Sequence, residues 1–213
     1  TVMNTNSTMG FLAGVLIGAI AAAFVGIIIG IPTLRLKGDY LAIATLGMAE
    51  IIRVVFLNMN DITNGAAGLN GIPRYANSLW LFAFTAVTLI LINNFIKSSL
   101  GRACISIRED EIAAESMGIN TTKYKVMAFS IGAFFAGIAG ALYSSYFYFI
   151  KPDLFGFMKS IDILVIVVFG GMGSITGSII AAIVLAVVTT FLQSFAALRM
   201  IFYALLLIII MIF

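Results

Sequence analysis

Histidine is absent from this chain of 213 residues, cysteine occurs once, proline three times, and charged side chains make up only 10% of it. Each scarcity closes off a class of function. Without histidine there is no Ser-His-Asp or Cys-His arrangement and no imidazole to ligate a metal. The lone Cys104 cannot form an intrachain disulfide or a paired-thiol motif. Twelve basic against nine acidic residues leave a net charge of +3, too small and too dispersed for a nucleic-acid surface. No Gly-x-x-x-x-Gly-Lys-Ser/Thr phosphate loop occurs, so ATP is not bound by that route. No catalytic residue, cofactor or metal is assigned.

What remains is apolar: 62% of residues are hydrophobic, the mean hydropathy is +1.15, and there are 20 glycines. A hydrocarbon core about 30 Å thick takes roughly 20 apolar residues per helical crossing, and lipid leaves only helices or closed barrels as spanning structures. The stretches 10–31 and 201–213 carry no charge and no period-two alternation, which selects helices. The expected fold is therefore all-α, a polytopic integral membrane helical bundle in a single domain over residues 1–213. Hydrophobic runs at 10–31, 40–57, 79–96, 126–149, 160–172, 175–198 and 200–213 predict six to seven spans, the fifth being short for a full crossing. The polar leader lacks a positive n-region, so the first run reads as a span rather than a cleaved signal. The chain stops inside an apolar run, and truncation at both ends is expected.

Lysines and arginines favour cytoplasmic loops. Arg35 and Lys37 follow the first span, and Lys97, Arg102, Arg108, Lys123 and Lys125 fill or border a polar island at 97–124. Placing both on the cytoplasmic side makes the loop 58–78 external and puts Lys151, Pro152 and Asp153 outside as well. The expected location is the cell inner membrane, with lipid as a partner. Trp80 and the run Tyr143, Tyr146, Phe147, Tyr148, Phe149 then fall where an interfacial aromatic belt belongs.

Within the island, Arg108 is read as starting a short helix that carries Glu109, Asp110, Glu111, Ala113, Ala114 and Glu115 and ends at Gly118. Alanines as knobs and carboxylates as orienting charges suit docking into a cleft of a partner protein; a solvated helix touching nothing is the alternative. Glu50 and Arg53 stand three apart on one face of the second span, where a lone charge costs roughly 2.5–3.5 kcal/mol on insertion scales. They pair with each other or across helices, either lining a translocation pathway for a zwitterion or locking two helices together. The external stretch Thr63, Asn64, Gly65, Gly68 and Gly71 is turn-rich and sits at the mouth of such a pathway. Gly170, Gly171 and Gly173 break the chain before the sixth span, freeing backbone groups for substrate or permitting close packing. Small residues at Gly14, Gly18, Ala22 and Gly26 in the first span, and at Gly132, Ala133, Gly137 and Gly140 in the fourth, predict close helix contact.

Four blocks carry a resemblance: LRLKGDYLAIATLGMAEIIR from Leu34 to Arg53, NGAAGLNGIP from Asn64 to Pro73, EDEIAAESMGINTTKYKVMAFSIGAFFAGIAGALY from Glu109 to Tyr143, and IDILVIVVFGGMGSITGSIIAA from Ile161 to Ala182. In this order, and over nearly the whole chain, they resemble the M-type permease subunit of branched-chain amino acid ABC importers. The family's external block usually reads Thr-Gly-Gly where this chain has Thr63, Asn64, Gly65, and asparagine also tolerates the left-handed conformation. The resemblance implies a non-catalytic membrane subunit in which the segment from Arg108 to Gly118 contacts separate ABC ATPase subunits. It also implies a related permease as heterodimer partner and a periplasmic or surface solute-binding protein. Urea, short amides and other amino acids are substrates of similar permeases. A self-contained, ion-coupled secondary transporter would use Glu50 as its titrating group, with Asp162 as the other candidate.

Overall fold

The first long apolar run folds as helix α1, Thr8–Thr33, and the fourth as α7, Thr121–Phe147; their contact is the most extensive between any two elements among the described residues. Small side chains explain it. A Cβ added at Gly26 would come within 2.7 Å of the Ala133 Cβ, and one at Gly137 within 2.8 Å of the Ala22 Cβ and 2.9 Å of the Ala19 Cα. Because the backbones approach this closely, the Ser130 hydroxyl reaches across to donate to the Ala23 carbonyl at 3.1 Å. The expected small-residue faces are thus half right. Gly26, Ala22, Ala133 and Gly137 lie in the contact, as does the Gly18 carbonyl, 3.1 Å from the Cβ position of Gly137, whereas the Cβ positions of Gly14, Gly132 and Gly140 open onto empty space.

The computed structural model describes residues 8–191 and divides into two units, Thr1–Asp153 and Leu154–Phe213. In the first unit α1 is followed by α2 (Asp39–Asn58), a one-turn α3 (Asn60–Thr63), a 3-10 turn at Gly65–Ala67 and strand β1 (Leu69–Asn70). Then come α4 (Ser78–Lys97), α5 (Ser99–Glu109), α6 (Glu111–Ser116), α7 and strand β2 (Phe149–Ile150). The second unit contains α8 (Phe157–Phe169) and α9 (Ile175–Phe191). Four helices, α1, α2, α4 and α7, are long and apolar enough to cross a membrane. With 13 residues α8 is only about 20 Å long, matching the short fifth run. The 200–213 run, the polar leader and Arg199 lie outside the described residues.

Side-chain caps set where the polar segment's helices begin. Asn77 accepts from the Ser78 amide, the Ser98 hydroxyl from Gly101, the Asp110 carboxylate from Ile112 and Ala113, and the Asn120 amide oxygen from Lys123. Each satisfies backbone donors that a helix start leaves unpaired.

Two ends of this unit follow from contacts between loops. At one end Lys37, just after α1, and Lys125 at the start of α7 both meet Glu111 of the island. At the other, β1 from the 58–78 loop pairs antiparallel with β2 after α7, Leu69 opposite Ile150 and Asn70 opposite Phe149. The island and the 58–78 loop thus lie at opposite ends of α7. A buried cluster of Phe11, Val15, Ala19, Ala76, Ile138 and Leu142, with Tyr75, Trp80 and Tyr146 packed on it, lies toward the β1–β2 end. Phe11 and Trp80 meet edge to face at 6.1 Å between centroids, a favoured aromatic arrangement.

Candidate functional site

The island folds as two helices rather than one, which corrects the expected boundary. Arg108 sits in the last turn of α5, where its positive charge suits the helix C-terminus; it does not start the short helix. Asp110 breaks the two apart because its backbone is extended while its side chain caps α6. The signal was present in the sequence as an Asp immediately before Glu-Ile-Ala-Ala, a helix-start pattern. Gly118, at φ +82°, closes α6 as expected: its amide bonds the Glu115 carbonyl at 2.9 Å and the Ile119 amide bonds Ala114 at 3.1 Å.

The carboxylates of this helix are engaged within the chain. Glu111 accepts from Lys125 Nζ at 2.7 Å, with Lys37 Nζ at 3.8 Å, and Glu115 accepts the Thr121 hydroxyl proton at 2.8 Å. Glu109 pairs with Arg108. The hydrogen bond from Lys125 is the main reason the Glu111 carboxyl is held below its ordinary range; burial opposes this, and the charges of Lys125 and Lys37 add to it. Nor do both alanines point outward: Ala114 is only 4% exposed, because the bonds on either side of it draw that face onto α7. Ala113 stays exposed, and the side chains projecting around it are Ile112, 74% exposed, and Met117, 83% exposed. Composition pointed to alanine knobs; the outward apolar groups are the larger neighbours. Cys104 lies in a small pocket with Ile107, Tyr124 and Lys125, where desolvation pushes its thiol pKa up and its Sγ contacts the Tyr124 carbonyl at 3.8 Å.

At the far end, Arg53 Nε donates to both Glu50 oxygens at 3.0 Å, and Nη1 donates to Asp153 Oδ1 at 2.9 Å. Both expected pairings occur together: within the helix, and across to the segment after α7. Arg53 lies toward the C-terminal end of α2, so the cluster belongs to this end rather than to the middle of the span. Sequence gave no sign of Asp153 as its partner, since the two are 100 residues apart.

The same end carries the turn-rich stretch. Asn64 adopts the left-handed conformation, φ 58° and ψ 23°, and Gly65 and Gly68 follow at φ 53° and 71°. Thr63 Oγ1 lies 2.7 Å from the Phe56 carbonyl and 2.8 Å from that of Met59. A Cβ on Gly68 would stand 2.7 Å from Lys151 Cβ and 2.9 Å from its Cα; glycine is what lets the 64–73 loop lie against β2. Tyr148 also has positive φ, 62°, and its ring lies 5.2 Å from the Arg74 guanidinium. The β1–β2 pair was not anticipated, because two-residue strands leave no periodic pattern.

In the second unit, Gly170 follows the last residue of α8, and Gly171 and Gly173 take φ 85° and 96°. The turn bonds largely to itself: Gly170 N to Ile166 O, Gly171 N to Val168 O, Ser174 N to Gly171 O, and Gly177 N to the Ser174 hydroxyl. A Cβ at Gly170 would lie 2.5 Å from the Ser178 Cα. Close packing is seen at Gly170, whereas a Cβ at Gly171 would meet open space.

The family model for the permease component of the branched-chain amino acid transport system matches residues 1–211. The chain is 38% identical over 208 residues to the Escherichia coli (strain K12) "high-affinity branched-chain amino acid transport system permease protein LivM", covering 82% of this chain and 49% of that protein. It is 38% identical over 103 residues to the LivH permease protein of Salmonella typhimurium, covering 48% of this chain and 32% of that one. The probable LivM of Methanocaldococcus jannaschii is 26% identical over 145 residues, 63% of this chain and 42% of that protein. The chain spans about half the length of the LivM proteins it matches. No solved structure matches. With its four long apolar helices this is a multi-pass membrane protein, and it belongs to the family of permease components of branched-chain amino acid transport systems.

Proposed function

We propose that the chain is the membrane-embedded part of an inner-membrane permease subunit in an ATP-driven importer of branched-chain amino acids, with α6 as the surface that docks on a separate ATPase. The observation that carries this is the way α6 is mounted. A six-residue helix is fixed at both ends to α7, by Glu111–Lys125 and by Glu115–Thr121, while Ile112, Ala113 and Met117 face outward. Apolar side chains on a rigid, capped projection are suited to filling a cleft on another protein.

The mechanism follows from what α7 joins. Its 27 residues are about 40 Å of helix, beginning at Lys125 and Thr121 and ending at the β2 strand that pairs with β1. Closure of the ATPases would displace α6, the ion pair and hydrogen bond would pass that displacement to α7, and α7 would carry it to β2 and Asp153. There Arg53 is shared by Asp153 and Glu50. In this reading the Arg53 guanidinium receives the carboxylate of a zwitterionic amino acid and Glu50 its ammonium. The loop holding Thr63, Asn64, Gly65, Gly68 and Gly71 receives the solute-binding protein, and a related permease completes the pathway. Hydrolysis belongs to the ATPase chain.

The test is co-purification of the full-length protein with its candidate ATPase subunits, comparing the native chain with I112D/M117D. Capture by the native chain that disappears in the double variant is the expected result. Equal capture by both, with equal uptake, removes α6 as the docking surface.

A further inference from the structure

At the island end, basic side chains divide into two groups. Lys37 and Lys125 share Glu111, Arg108 pairs with Glu109, and Arg102 donates to the Lys97 carbonyl. Three further cations, Arg35, Lys97 and Lys123, have no side-chain hydrogen-bond or ion-pair partner among the described residues. Of these, Arg35 and Lys123 line the same open groove, of about 490 Å³, together with Asn120, Thr122, Ile31 and Val126. Arg35 lies just beyond the end of α1, and Lys123 lies in the first turn of α7. Its inner wall is apolar, where Ile31 and Val126 line it and Gly30 lets Val126 and Phe129 come up against α1.

We infer that this groove is a binding site for an anionic phospholipid, its headgroup phosphate held between Arg35 and Lys123 and its acyl chains running down past Ile31 and Val126. The polarity is in the order a lipid requires. Donors sit at the polar end of two membrane-spanning helices, and aliphatic side chains begin one turn further in. Thr122 adds a hydroxyl; Asn120 has an amide group left to donate, since its side-chain oxygen already accepts from the Lys123 amide at 3.0 Å. Basic pockets between transmembrane helices are where anionic headgroups bind. A soluble anion would use the cations but gain nothing from Ile31 and Val126. An acidic protein surface would compete for the cations without entering between the helices.

The test is native mass spectrometry of the full-length protein titrated with phosphatidylglycerol and, separately, phosphatidylethanolamine. Native chain, R35Q/K123Q and K97Q are compared; Lys97 is a basic residue at the same end that does not line the groove. Basic residues near a membrane surface each contribute roughly fivefold to attraction of anionic lipid. The expected result is therefore at least about tenfold weaker phosphatidylglycerol binding in R35Q/K123Q, with K97Q like the native chain and phosphatidylethanolamine bound weakly by all three. Three outcomes overturn the inference: unchanged binding in R35Q/K123Q, an equal loss in K97Q, or displacement of the lipid by millimolar inorganic phosphate. Loss of ATPase capture in R35Q/K123Q with lipid binding intact would assign the groove to a protein partner and overturn it as well.

Discussion

At the β1–β2 end the backbone does the shaping: Asn64, Gly65, Gly68 and Tyr148 all sit at positive φ, and two strands of two residues hold the loop to the end of α7. At the island end the backbone is ordinary helix and the work passes to side chains. Asp110 and Asn120 cap, Glu111 and Glu115 tether, and among the described residues of this end positive φ occurs only at the glycines Gly118 and Gly38. A backbone-built turn tolerates little change, because a left-handed residue with a neighbour against it has no side chain to rearrange. A side-chain-built joint consists of several partners of modest strength, and losing one leaves the others. Under the proposed function, that difference would suit a mouth that keeps its shape and a docking element that moves as a unit.

The sharpest way to break the comparison is Gly68→Val. It adds strain at φ 71° and forces atoms into Ile150 and Lys151. Strain of about 1–3 kcal/mol and overpacking of similar size are expected to sum to roughly 3 kcal/mol or more, read as loss of thermal stability of the full-length protein in detergent. Near-native stability would show that the far end can re-form around a side chain. Gly118→Val is the matched change at the island end. It carries the left-handed strain of about 1–2 kcal/mol but meets open space, so it should cost clearly less. If it costs as much as Gly68→Val, the two ends are not built differently.

Legibility followed the same division. Apolar runs located the four long helices to within a few residues, and the end at Gly118 was read correctly; Asp110 was placed inside the helix it caps, although its capping is encoded within four or five neighbouring residues. The Lys37, Lys125 and Glu111 contacts were hidden, although every one of those residues was visible as part of a basic or acidic stretch. Which charge meets which depends on how α1 and α7 pack, and only Gly26, Ala22, Ala133 and Gly137 show that. Asp153 is the clearest case: nothing in its local sequence differs from a solvated loop carboxylate, yet it completes the Arg53 cluster. The outward face of α6 was missed for a related reason. Composition marked both alanines as small, but their direction is set by the ties of Glu111 and Glu115 to α7.

Asp110→Ala removes a single cap that serves two amides, at 2.9 and 3.0 Å. A loss of about 1 kcal/mol is expected, confined to α6 and visible as faster hydrogen exchange there with the melting temperature of the whole protein little changed. A global loss of stability would mean that α6 is part of the folding core rather than a mounted element.

The smallest effect is expected from acid. Glu111 has its carboxyl held below the ordinary range, first by the hydrogen bond from Lys125 and then by the charges of Lys125 and Lys37. A carboxyl with a depressed folded-state pKa contributes stability that is fully present above its unfolded value and lost as pH falls through the folded one. The tie between α6 and α7 should therefore be unchanged from neutral pH down to the ordinary carboxylate range and loosen only below it. The contribution is small because the pair is partly solvated. A spin label at Met117→Cys, in a chain carrying Cys104→Ser, reports it: mobility should rise only in that acid window, and Glu111→Gln should show the mobile spectrum at every pH. If the native label loosens at neutral pH, Glu111 is not what holds α6. If Glu111→Gln stays immobile, the Glu115–Thr121 bond carries the joint by itself, and the island end has fewer working contacts than its ion pairs imply.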